Sequence, residues 1–487
     1  MGLLPDQYDK YLRFFKFMLK YWNSDVFSFP EENVPTSGKE DVANDFDHTP
    51  EELVEDLKKM GPTYVKLGQL LSTRPDLLPP HFMEALATLQ DDVESVDYQV
   101  IEEIVREEIG ERISKAYASF DKEPLATASI GQVHKAVMHS GQVVAVKIQR
   151  PGIRKRFIED LDTLMSLSEK AENFSETARN YAVHGVIEEL RYVLLKELDY
   201  TLEAQNLLTL KENLKDFKHL FVPSPLLDYC SSRVLTMEFV EGGKITKVSP
   251  LKRMDIDLEP LVDELVKGYL KQIIVDGFAH ADPHPGNVYL TLDNQIALMD
   301  LGMVARFSDK MQETILKLMI ALSNYDSSRV ADILLTISEY DEKEVDLAVF
   351  RKSIERKVQE SENQKAKDLK AGRTLIEINQ MAAKQKIHIP VELNILGKIL
   401  LNMDQIVAYL TPEYDMNSAV KEYVNHLMQK RMKYELKPGN LIELFLEMKD
   451  LTENLPFRIN KFTENLAENK IRVKVDTIDE ERFTGAF

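Results

Sequence analysis

Near the start of the chain apolar side chains recur at helical spacing, with Tyr11, Phe14, Phe15, Met18, Tyr21 and Trp22 on one face and Arg13, Lys16 and Lys20 on the other. This predicts a basic amphipathic helix, a shape that either packs on the protein's own body or lies in a bilayer interface. The periodicity stops between about Asp25 and Thr49, where Pro30, Pro35, Ser37 and Gly38 stand among acidic residues, as in a connector. It returns over Glu51 to Met60, is broken by Gly61-Pro62, and resumes over Thr63 to Ser72. From about Phe120 the period shortens: Gln132 to Val137 and Val143 to Ile148 read as strands joined at Ser140-Gly141, a hairpin. Helical spacing predicts a helix over Ile153 to Asn173 and another over Val186 to Leu210, followed by a strand at Arg233 to Phe239. Beyond Gly242 the pattern is mainly helical, and the Lys- and Glu-dense stretch Arg351 to Arg373 reads as a solvated helix face. No repeat of 20–50 residues is present.

At 487 residues and 44% hydrophobic content the chain exceeds one ordinary domain and has ample material for packed cores. A formal charge of −20, with no strongly basic segment, argues against nucleic acid as a partner. The single cysteine, Cys230, excludes an internal disulfide and fits a reducing compartment such as the cytoplasm. No run of 18 apolar residues occurs and the start lacks a secretory pattern, so the chain reads as soluble or peripheral.

The chemistry concentrates near the middle. His280-Ala281-Asp282-Pro283-His284-Pro285-Gly286-Asn287 is followed 13 residues later by Asp300-Leu301-Gly302. Phosphoryl transfer needs a carboxylate to take or orient the nucleophile's proton, here Asp282, and two oxygen ligands holding Mg²⁺ against ATP, here Asn287 and Asp300. The order and spacing are those of kinase catalytic loops and the metal-binding Asp that follows them. Val144-Ala145-Val146-Lys147 supplies a strand ending in the lysine that grips the α/β-phosphates. Its helix partner is read as Glu203, with Glu197 and Asp199 as nearby alternatives. Met237-Glu238-Phe239-Val240 resembles a hinge whose backbone bonds adenine, with Met237 at the back of the pocket. Where a glycine-rich loop is expected, Ala126-Thr127-Ala128-Ser129-Ile130-Gly131 keeps one glycine, which restricts the loop and alters nucleotide affinity or preference. No Ala-Pro-Glu element follows Asp300, so a peptide-docking shelf is not expected.

These residues resemble the UbiB-like (ADCK, AarF) atypical kinase family from about Glu55 to about Asn417. The marks are Lys66-Leu67-Gly68-Gln69, the alanine-rich loop ending Ser-Ile-Gly-Gln-Val-His134, Val-Ala-Val-Lys147, Glu197-Leu198-Asp199, and the segments holding Asp282, Asn287 and Asp300. The resemblance implies an α+β, two-lobed protein-kinase-like fold with added N-terminal helices and a mostly helical C-terminal lobe. The implied organisation is an amphipathic helix and linker at 1–48, a helical extension at 49–118, a small lobe at 119–240, a large lobe at 241–430 and a helical tail at 431–487. It also implies ATP and Mg²⁺ as cofactors, conditional ATPase activity, and support of isoprenoid-quinone biosynthesis or lipid homeostasis. The partners implied are a quinone precursor or lipid, an anionic membrane surface at the inner membrane face, and proteins of a biosynthetic complex. In such proteins the Lys-x-Gly-Gln segment lies across the active site near the Glu-x-Asp pair, so Lys66 and Gln69 are expected to regulate it through Glu197 or Asp199. Two departures stand out: Thr127 interrupts the alanine run, and the hydrophobic helix pair that ends many bacterial members is not seen before Phe487. The second leaves a soluble relative and a chain cut before its anchor both open. A small-molecule phosphotransferase and a nucleotide-gated lipid-binding scaffold are the alternative readings.

Overall fold

A computed structural model describes residues 20–21 and 49–435, leaving out 73, 75–77, 79, 90–93, 175–182, 250–252, 254, 344 and 363–370. The chain divides into two compact units, residues 1–421 and 422–487. Of the second unit residues 422–435 are described, and all are helical. Most of the predicted N-terminal face, the linker to residue 48 and the tail beyond residue 435 lie outside the described residues. Of that face, Tyr21 is buried, and Tyr21 and Lys20 both donate to Asp56, at 2.9 and 2.6 Å.

The first unit opens with helices α1 (Pro50–Met60), α2 (Pro62–Leu71), α3 (Pro80–Ala87), α4 (Tyr98–Ile109) and α5 (Ile113–Ala116). Thr49 caps α1 by accepting the Glu52 amide, and Gly61 separates α1 from α2 at φ 110, a backbone state that glycine adopts freely. Strands β1 (Ser119–Phe120), β2 (Ala126–Thr127), β3 (Gly131–Val137) and β4 (Val143–Gln149) follow, then helices α6 (Ile153–Phe174), α7 (Val183–Glu197) and α8 (Tyr200–Asn213). After β5 (Leu220–Phe221) and β6 (Val234–Glu238), an antiparallel sheet is complete in the order β1-β3-β4-β6, with β2 also on β3. Helices α4 and α5 cover one face of this sheet. Ile101, Ile104, Val105, Ile113 and Tyr117 pack with Ala136, Val144, Val146, Ile148 and Val234 in one buried cluster.

The predicted single helix from Val186 to Leu210 is two helices. Asp199 leaves helical geometry and accepts the Thr201 amide at 3.0 Å and the Thr201 hydroxyl at 2.6 Å, ending α7 and capping α8. The apolar period ran through this cap because Leu198 and Tyr200 are both buried. Beyond Gly242 the described chain is mainly helical, as expected, and five short strands are added to its first part. Strand β7 (Gly242–Lys244) precedes helix α9 (Glu259–Ile274) in the chain, and β8 (Phe278–His280), β9 (Val288–Thr291), β10 (Ile296–Leu298) and β11 (Val304–Arg306) follow it. They form a sheet in the order β5-β10-β9-β7 and a separate β8-β11 pair. With three or four residues each, they are too short to show an alternating period. Helices α10 (Asp309–Ser323), α11 (Ser327–Ile337), α12 (Leu347–Glu362), α13 (Ala371–Lys384) and α14 (Val391–Leu410) follow. Among the described residues no helix is long and apolar enough to cross a membrane.

Candidate active site

Lys147 lies on the inner strand β4, between β3 and β6, and its ammonium reaches α8. It donates to both oxygens of Glu203, at 2.9 and 3.1 Å, and to Asp300 Oδ1 at 3.2 Å. Glu203 is the helix partner. Asp199 is turned into its cap, and Glu197 is engaged elsewhere. Burial acts to strip the proton from Lys147, but Asp300 and Glu203 outweigh it and hold the ammonium well above its ordinary range. Burial pushes Glu203 up to about 7 against the pull of Lys147. Lys147, and Lys66 behind it, hold Asp300 well below the usual carboxylate range, so Asp300 carries the firmer negative charge. The Asp300 side chain is 51% exposed and opens into the cleft. Its φ is 58, the left-handed region, where Asp is among the few side chains tolerated.

The loop after β8 is fixed from several sides. Buried His280 accepts the Asp282 amide on Nδ1 at 3.2 Å, and its Nε2 donates to the Met299 carbonyl at 3.1 Å. Burial lowers its pKa, in keeping with a neutral ring used as a brace. Asn287 donates to the Asp282 carbonyl at 3.3 Å, and the Asn287 carbonyl accepts the Met299 amide at 2.9 Å. Asn206, one turn along α8 from Glu203, donates to the Leu301 carbonyl at 3.0 Å. One helix therefore holds both the lysine and the segment after Asp300.

The alanine-rich turn is closed on itself. The Ala128 amide donates to the Gly131 carbonyl at 2.8 Å, Arg150 donates to the Ala128 carbonyl at 2.9 Å, and Ser129 is buried while Ala126 is exposed. Gly131 is needed for close approach within the protein: a Cβ there would stand 2.6 Å from both the Ile148 carbonyl and the Tyr200 hydroxyl. That hydroxyl is buried without a hydrogen-bond partner among the described residues, and Lys147 lies 5.0 Å from the Tyr200 ring centre. At the hinge Met237 is buried opposite Ala145, and Val240 is buried. The Glu238 carboxylate accepts the Ser224 amide at 2.8 Å and Lys211 at 3.2 Å, and the Glu238 amide donates to the Ser224 carbonyl at 2.9 Å, so the residue is anchored to the preceding segment.

Lys66 of α2 is bonded to Glu197 at the end of α7, with both side chains largely buried. Gly302 lies against Glu197 and Asp300, since a Cβ there would be 3.6 Å from Glu197 Cγ and 3.5 Å from Asp300 Oδ1. Gln69 departs from the expectation: it donates to the Leu89 carbonyl at 3.0 Å, bracing the helical extension instead of facing the cleft.

The profile of the ABC1 atypical kinase-like domain matches residues 88–334, about half of the chain. The chain belongs to this family. A probable protein kinase UbiB of Pseudomonas fluorescens (strain SBW25) is 31% identical over 412 residues, covering 83% of this chain and 77% of its own. The chloroplastic protein ACTIVITY OF BC1 COMPLEX KINASE 7 of Arabidopsis thaliana is 30% identical over 440 residues, and the match spans 88% of this chain but 63% of that one. The complex of Rv3197 with erythromycin from Mycobacterium tuberculosis is 22% identical with a TM-score of 0.48, covering 74% of this chain and 97% of that one.

In this ABC1 chain the donors suit a magnesium nucleotide more than a metal held by protein alone. Among the described residues no cluster of three or more His, Cys, Asp or Glu side chains is present. Mg²⁺ instead takes one or two protein oxygens plus phosphates, which half-exposed, ionised Asp300 with Asn287 could supply. Lys398 of α14, which no sequence motif marked, bonds Asp282 Oδ1 at 2.9 Å.

Proposed function

We propose that this atypical kinase-like protein binds MgATP between its antiparallel sheet and the Asp282–Asp300 region and transfers or hydrolyses the terminal phosphoryl group. The observation that carries the reading is the three-way contact of Lys147 with Glu203 and Asp300 beside the loop bearing Asp282. Mg²⁺, when bound, neutralises phosphate charge and aligns the triphosphate. Asp300 and Asn287 would hold it, Lys147 would turn from Asp300 to the α/β-phosphates, and the backbone of Glu238 and Val240 would bond adenine. As the bond between the γ-phosphorus and the bridging oxygen breaks, an oxygen of water or an acceptor hydroxyl bonds to phosphorus. Its proton passes toward Asp282.

The Lys66–Glu197 bond beside Gly302 supports a site closed to peptides, with α2 covering the surface where a substrate chain would lie. The names of the UbiB relatives support a role in isoprenoid-quinone synthesis or membrane lipid homeostasis, with a quinone precursor or lipid as ligand and biosynthetic proteins as partners. Attachment to an anionic membrane surface belongs to the same reading. The test is ATP turnover without acceptor, with and without cardiolipin-containing liposomes, in wild type and Asp282→Asn. Loss of turnover with retained MgATP binding in the variant is expected, and unchanged hydrolysis would overturn the enzymatic reading.

A further inference from the structure

The loop from His280 to Asn287 holds the proton-accepting carboxylate and two histidines, but no lysine or arginine. Neither histidine supplies a cation. His280 is locked as a neutral brace between the Asp282 amide and the Met299 carbonyl. His284 accepts the Gly286 amide on Nδ1 at 3.0 Å, which a protonated ring cannot do, and burial lowers its pKa. Positive charge beside Asp282 comes instead from Lys398, whose ammonium lies 2.9 Å from Asp282 Oδ1 and whose side chain is 20% exposed.

We infer that Lys398 is a positioning residue for phosphoryl transfer, fixing the rotamer and charge of Asp282 from a helix that is remote in sequence. The inference rests on the proposed phosphoryl transfer and names one residue of its machinery. The Asp282 side chain is 32% exposed, so the ion pair with Lys398 is what ties its carboxylate to one orientation. A base must be held within a few tenths of an ångström of its working place, and rigid elements achieve this better than loops.

Helix α14 is suited to that task. It buries Leu393, Leu396, Ile399, Leu400, Met403 and Ile406, and touches the turn Pro285–Asn287. Two glycines press α13 and α14 together: a Cβ on Gly397 would meet Ile376 at 3.1 Å, and one on Gly372 would meet the Leu401 amide at 2.0 Å. Lys398 follows Gly397 directly, so its stem starts from the most constrained part of the helix. The ammonium faces the cleft because the neighbouring positions are committed to packing.

The test compares full-length wild type, Lys398→Met, Lys398→Arg and the double variant Lys398→Met/Asp282→Asn. Steady-state ATP hydrolysis should show kcat lowered about tenfold or more in Lys398→Met, with KM and calorimetric MgATP affinity changed less than about twofold, since the contact acts on the base and not on binding. Lys398→Arg should recover most of kcat. In nucleotide-free thermal unfolding, the double variant should fall well short of the summed shifts of the single ones, as residues in direct contact couple. Unchanged kcat in Lys398→Met, an arginine variant as slow as the methionine variant, or additive unfolding shifts would each overturn the inference while leaving the proposed function standing. A wild type with no turnover would overturn both, and turnover insensitive to Asp282→Asn would do the same.

Discussion

The ammonium of Lys147, on strand β4, and the carboxylate of Asp300, in the segment between β10 and β11, stand 3.2 Å apart although they lie 153 positions apart in the chain. In the proposed reading the contact joins the residue that would meet phosphate with the residue that would hold the metal, and a bound magnesium nucleotide would separate them. Asp300→Asn removes one anionic metal ligand and the stronger of the two counter-charges to Lys147. Calorimetric titration should show MgATP affinity at least about tenfold weaker, or roughly 1.4 kcal/mol. Equal affinity in wild type and variant would refute the assignment of the site.

A second expectation concerns Lys66, whose pairing with Glu197 is largely shielded from solvent. Removing one partner of such a pair leaves the other charge poorly compensated, and here the stranded carboxylate lies next to Gly302 and Asp300. Lys66→Ala should therefore alter nucleotide affinity or permit self-phosphorylation, whereas the wild type should phosphorylate generic peptides negligibly. Radiolabelled ATP assays on both proteins decide the matter. Robust peptide phosphorylation by the wild type, or identical nucleotide behaviour, would show that α2 does not guard the cleft.

Gly131 makes a third case because its constraint comes from the protein side of the turn. The methyl group of Gly131→Ala would meet a backbone carbonyl that cannot move without disturbing the β3–β4 ladder, besides the Tyr200 hydroxyl. A stability loss of about 1–3 kcal/mol is expected, in the range of overpacked interiors. Combining it with Tyr200→Phe should recover only the part due to the hydroxyl. Chemical denaturation of the three proteins measures both, and wild-type stability in Gly131→Ala would show that the turn yields freely.

What could be read from the sequence depended on how local each signal was. The hairpin of β3 and β4 and the helices α1 and α6 were legible because period and breakers sit within the element, as at Gly61-Pro62. The grouping of Lys147 with Glu203 was legible because spacing along a chemically defined motif substitutes for a missing fold. Asp199 stayed open as an alternative to Glu203 and Glu197: the same short carboxylate that serves a salt bridge also caps a helix, and the non-helical backbone at Asp199 distinguishes the two. Gln69 was assigned to the cleft from its place beside Lys66, while the Leu89 carbonyl that captures it lies 20 positions away. Lys398 carried no signal at all. It is one lysine within an apolar helix, and its meaning arises from the packing of α14 on the Pro285–Asn287 turn.

The last expectation lies in the large helical region and tests its electrostatics. Glu377 of α13 is bonded by Lys357 of α12 and by Arg373, the latter at 3.0 Å, with 28% of its side chain exposed. Burial acts to raise its pKa, but the two cations prevail and hold it below the ordinary carboxylate value. A carboxyl group that binds its proton more weakly when folded adds stability above its unfolded pKa and loses it as the pH falls through the folded one. Glu377→Gln should therefore cost about 0.5–1 kcal/mol at pH 7, the scale of a partly exposed pair. The difference from wild type should shrink as the pH drops below about 4.3, the ordinary Glu value. Denaturant titrations between pH 7 and pH 3.5 test this, and a gap that stays constant or widens toward acid would show that the Glu377 charge does not support the α12–α13 contact.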